Sequence, residues 1–156
     1  MAVSSLDLSG NSLSEEDCTL LEDAILSCPT LTALDIVGNP AHGSPSALRL
    51  GGIVAVHELR RLTLLDGGLD SCFRSVSDRG LGDIGVVIVA EHLGEDAALN
   101  GLCELGLHYN NLGDPAGIAL GKALLHFTWT MILNLNVIMK PTQILTLTAI
   151  LLKRLL

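Results

Sequence analysis

Residues 102–124, LCELGLHYNNLGDPAGIALGKAL, hold a short strand pattern, an asparagine corner and a helix start in one continuous stretch. Leu102, Leu105, Leu107, Asn110 and Leu112 follow the spacing L-x-x-L-x-L-x-x-N-x-L. Leu105 and Leu107 flank Gly106, so the period-two geometry of a strand puts both side chains on one face. The Asn110 amide can then bond backbone groups that the following turn leaves unpaired. At Gly113-Asp114-Pro115 the period changes, because Asp114 can cap free N–H groups and Pro115 suits the first helical position. Ile118, Leu120, Ala123 and Leu124 recur at helical spacing, so the stretch predicts a strand, a turn and a helix with one shared apolar side.

The same order runs upstream. Val3, Leu6, Leu8, Asn11 and Leu13 repeat the strand pattern, and Ser14-Glu15-Glu16-Asp17 opens a helix with capping-box spacing that ends near Ile25. A second unit uses Leu31, Leu34, Ile36 and Asn39, followed by Ser44-Pro45 as a helix start. Gly51 and Gly52 each cost about 1 kcal/mol relative to Ala, which predicts a short or frayed second helix. A third strand is expected through Leu59, Leu62 and Leu64, with Gly67 at the asparagine position and Leu69 closing the pattern. Unit starts at 3, 31 and 59 are 28 residues apart, and the next, at 102, is 43 further on. LGDIGVVIVAEHL from Leu81 aligns without gaps on LGDPAGIALGKAL from Leu112, so DSCFRSVSDRG reads as an insertion.

The expected division of a single domain, 1–156, is therefore 1–30, 31–58, 59–101 with an insertion at 70–80, 102–129, and a degenerate unit at 130–156. In that last unit Leu133 and Leu135 keep register, but Ile138 replaces Asn and Lys140-Pro141 replaces Gly-Asp. ILTLTAILLKRLL from Ile144 is apolar on nearly all sides. Lys140-Pro141-Thr142-Gln143 leaves each apolar half short of the ~20 residues that a membrane span needs, so cover by a partner or by self-association is expected instead.

Carried by Leu6-Asp7-Leu8, Leu34-Asp35-Ile36, Leu62-Thr63-Leu64 and Leu105-Gly106-Leu107, the Gly82-Asp83 and Gly113-Asp114 turns and the 28-residue step, the chain resembles leucine-rich repeat proteins of the ribonuclease-inhibitor-like subfamily. The resemblance implies an α/β fold, a curved right-handed leucine-rich repeat solenoid of about five repeats with the last one degenerate. Parallel strands would line its inner face and helices its outside. It also implies a non-enzymatic protein-protein interaction scaffold, a structural subunit of a larger intracellular assembly, with cytoskeleton and cilium among the family's settings. The alternative within the same resemblance is a regulatory protein, either a GTPase activator or a fragment of an inhibitor or innate-immune sensor.

Composition sets outer limits. Hydrophobic residues make up 49% of the 156, ample for a core, while only 3% are aromatic, which suits layers of Leu, Ile, Val and Ala. Lys plus Arg number 9 against 17 acidic residues, a formal charge of −8, so nucleic acid and anionic membranes meet a repulsive average field and basic protein surfaces an attractive one. Cys18, Cys28, Cys72 and Cys103 form no C-x-x-C pair, and MAVSSLDLSG has no signal-peptide pattern, so reduced, inert thiols in a cytoplasmic protein are expected. His42, His57, His92 and His126 show no metal-ligand spacing, and neither metal nor cofactor is expected.

The expected contact surface is the inner strand face, with Asp7 and Asp35 at equivalent places, Arg60 and Arg61 on the third strand, and Glu104, His108 and Tyr109 on the fourth. The Asp pair could receive a partner's Lys or Arg, and His108-Tyr109 joins an aromatic anchor to a titratable ring. Three readings of the insertion stand open: a docking loop with Phe73 as anchor, a regulatory phosphorylation site on the serines next to the arginines, or a tolerated flexible insertion. Arg74 and Arg79 there invite comparison with a GTPase-activating arginine.

Overall fold

A computed structural model describes residues 2–65, 73–95, 99 and 104–124. Strands β1 (Ser5–Asp7), β2 (Ala33–Asp35), β3 (Phe73–Ser75) and β4 (Glu104–Gly106) alternate with helices α1 (Glu15–Leu26), α2 (Pro45–Leu65), α3 (Gly82–Glu95) and α4 (Asp114–Leu124). Each helix packs on the next, α1 on α2, α2 on α3 and α3 on α4.

Two helix starts follow their sequence signals closely. Ser14 Oγ accepts from the Asp17 amide while Asp17 accepts from the Ser14 amide at 2.8 Å, a complete capping box at the head of α1. Ser44 Oγ accepts from the Ala47 amide at the head of α2. Leu105 and Leu107 are buried together, as alternation about Gly106 requires.

The five-repeat α/β solenoid is corrected. Among the described residues the structure is mostly helical: the helices run 12, 21, 14 and 11 residues, whereas every strand has three. The strands form two separate parallel pairs, β1 with β2 and β3 with β4, rather than one continuous sheet. The strands are short because turns begin at once; Asp7 and Asp35 each accept at 2.9 Å from the amide two residues on and draw the chain out of the strand.

The asparagine corners show how each pair is held. Asn39 Nδ2 donates to Leu8 O of the preceding turn and to Ile36 O of its own, and its Oδ1 accepts from the Leu13 amide. Asn110 repeats this, donating to Val76 O and Leu107 O and accepting from the Arg79 and Leu81 amides. Arg79 stands where the other turns carry Asn, so β3 has no side-chain amide to reach back to the β2 turn; its guanidinium pairs instead with Glu58 of α2 at 2.6 Å. The two strand pairs separate at that point.

The third unit is also corrected. Residues 59–65 continue α2 instead of forming a strand, so the 58/59 boundary falls inside a helix. Leu59 and Leu62 keep the helical spacing of Val56, and no Gly or Pro interrupts before Gly67. The third strand lies within the supposed insertion, where Phe73, Arg74 and Ser75 are in register with Glu104, Leu105 and Gly106.

Gly51 and Gly52 do not shorten α2. A Cβ on Gly52 would come within 2.7 Å of the Gly85 carbonyl oxygen, so glycine here lets the α2 and α3 backbones touch. Burial of Leu50, Ile53, Val56 and Leu59 around this contact offsets the propensity cost. The proposed unit at 130–156 lies outside the described residues.

Candidate protein-contact surface

The turns after the four strands superpose in sequence as Ser9-Gly10-Asn11, Val37-Gly38-Asn39, Ser77-Asp78-Arg79 and His108-Tyr109-Asn110. The central residue of each is left-handed, at φ 65° for Gly10, 77° for Gly38, 57° for Asp78 and 59° for Tyr109. Glycine has no steric cost there and Asp a modest one; a tyrosine is an outlier. Tyr109 is also 70% exposed, so core packing does not hold it there.

His108 braces this aromatic. Its ring meets the Tyr109 ring edge-on, with centroids 5.1 Å apart and planes at 75°. On the other side its Nδ1 lies 2.7 Å from Ser77 Oγ, across the β3–β4 pair. Asn110 is 1% exposed and ties the base of the turn to the preceding one. The exposed ring thus stands on a rigid base, the arrangement that lowers the entropy cost of ordering an anchor on binding.

Asp7 and Asp35 are direct register partners on β1 and β2 and both are exposed. Each commits one carboxylate oxygen to its turn, and the Ser9 side chain and amide hold the Asp7 carboxyl below the ordinary value. Two carboxylates on neighbouring strands, ~5 Å apart, form an acidic step suited to a basic side chain.

Other expected residues fall elsewhere. Arg60 and Arg61 lie on α2, not on a strand, so they leave the proposed strand face. Glu104, Phe73 and Arg74 are in the β3–β4 pair, but their side chains lie outside the described part of the structure. Arg79 is committed twice, by its ion pair with Glu58 and by its amide to Asn110, unlike an extended arginine finger. Ser77, the partner of His108, was missed. The alignment of Leu81 on Leu112, carried back through the turn, places Ser77 over His108 and Phe73 over Glu104; treating 70–80 as inserted hid it.

His57 is buried on α2 with Nδ1 3.2 Å from Leu31 O. Burial pushes its pKa down, the Leu31 carbonyl opposes this, and Arg60 and His92 add repulsion. Among the described residues no group of His, Cys, Asp or Glu is placed to hold a metal ion, and no helix is long and apolar enough to cross a membrane. Neither a scan of protein-family models nor a search of curated proteins found a match to this chain.

Proposed function

We propose that this chain is a non-enzymatic protein-interaction module that serves as a scaffold subunit, binding its partner through the strand-end turns with Tyr109 as anchor. The observation that carries the reading is an exposed aromatic held in a left-handed turn whose three counterparts are Gly or Asp. Such strain is tolerated where the surrounding structure fixes it, and it clusters at binding positions. The acidic step at Asp7 and Asp35 and the formal charge of −8 favour a partner with a basic surface. A cytoskeletal or ciliary setting is the finer form of this reading, and no described residue supports it. The pairing of Arg79 with Glu58 weighs against Arg79 as an activating arginine and so favours the scaffold reading over a GTPase activator.

The test is quantitative comparison of proteins retained by wild-type chain and by Tyr109→Ala, Asp35→Lys and the α1 control Asp23→Lys, each first shown to melt as wild type does. Proteins lost with both Tyr109→Ala and Asp35→Lys but kept by Asp23→Lys support the proposal. Retention of the same proteins by all four overturns it.

A further inference from the structure

Helix α3 reads GDIGVVIVAEHLGE and is apolar on nearly every side. A helix of that kind belongs in an interior. Val86, Val89, Ala90 and Leu93 are indeed buried, but Ile84 and Val87 are only half-buried, and Ile118 of α4 beside them is 40% exposed. Two grooves of about 390 and 590 Å³ run along this outer face and share Val87, Glu91 and Pro115. The first is walled by Ile118 and Ala119 and rimmed by Glu91 and Glu95, so it offers an apolar floor under an acidic edge.

The chain carries a matching segment. All 17 acidic residues precede Leu124, whereas residues 125–156 contain none and hold Lys140, Lys153 and Arg154 among mainly apolar residues. This segment starts where α4 ends, beside Lys122 and Ala123 of the groove wall. Covalent continuity makes its local concentration at the groove far higher than that of any separate chain. Thirty-two residues (125–156) are more than enough to turn back along α4, whose 11 residues span ~17 Å.

We propose that residues 125–156 dock intramolecularly on the outer face of α3 and α4, covering Val87 and Ile118 with apolar side chains while their lysines meet Glu91 and Glu95. The docking leaves the Tyr109 turn for a partner and is independent of the function proposed above.

The test is zero-length carbodiimide cross-linking of the size-selected full chain, mixed as light and heavy isotopic forms, with the links mapped by mass spectrometry. A link from Glu91 or Glu95 to Lys122, which lines the same groove, reports that the α3–α4 pair is folded. Links from Glu91 or Glu95 to Lys140 or Lys153 within one chain, lost in Ile118→Asp while the Lys122 link persists, are the expected result. Tail links only between light and heavy chains would assign the groove to a second copy and overturn the proposal. Lys122 links without any tail link, or tail links unchanged in Ile118→Asp, would overturn it equally.

Discussion

Replacing Tyr109 by glycine separates strain from recognition. A non-glycine residue in the left-handed region costs ~1 kcal/mol, and the ring recovers little of that through burial because it is 70% exposed. Tyr109→Gly is therefore expected to raise stability by about 1 kcal/mol in urea unfolding while abolishing partner binding. A loss of stability would mean that the ring is a structural prop for His108. Asn110→Ala should act in the opposite direction. It strands two amides and two carbonyls at a site 1% exposed, so a loss of about 3 kcal/mol is expected in the same assay. His57 supplies a pH signature. Its folded pKa is depressed below 6.5, so its neutral form is favoured in the folded chain, and its contribution is complete above that value. As pH falls below 6.5 the unfolded chain takes up a proton that the folded chain resists, and stability declines. Denaturant midpoints measured from pH 7.5 down to about 5.5 should fall for wild type and flatten for His57→Gln.

At the level of elements, the cap of α4 comes from an unexpected place. Asp83, in the first turn of α3, accepts from the Gly113 and Ala116 amides at the head of the next helix, so the acid that matters is not Asp114. Asp83→Ala is expected to lower thermal stability by about 1 kcal/mol, and Asp114→Ala by clearly less. The α2–α3 contact is sharper still. Gly52→Ala gains ~1 kcal/mol of helix propensity but forces a Cβ to 2.7 Å from the Gly85 oxygen, and a net loss of about 2 kcal/mol is expected in chemical unfolding. A neutral or stabilising result would show that the two helices separate easily.

Across the whole molecule, what could be read from sequence was local chemistry. Ser14, Ser44, Asn39 and Asn110 act through groups a few residues away or through one repeat of the same turn, and their spacing announced them. What could not be read was decided by packing between elements. Gly51-Gly52 looks like a break until α3 is known to lie against it. Leu59, Leu62 and Leu64 suit a strand or a helix, and α2 claimed them by simple extension. The strand at Phe73–Ser75 was concealed because Arg74 occupies the place of a leucine and Arg79 that of an asparagine. The equivalence of Asp7 and Asp35 and the adjacency of His108 and Tyr109 after a strand were legible, whereas the left-handed turn that singles out Tyr109 is a backbone property with no mark in the residue itself.

The strand register has a kinetic corollary. Ser5 pairs with Ala33 and Phe73 with Glu104, so every ladder joins segments about thirty residues apart. Closing such modest loops costs little entropy, which favours rapid folding. A chain emerging from the ribosome could complete β1, α1, β2 and α2 before residue 73 leaves the exit tunnel, and nascent chains arrested with residues 1–65 outside the tunnel should already resist protease. The order of synthesis would then be the order of assembly, each new segment landing on a surface already in place.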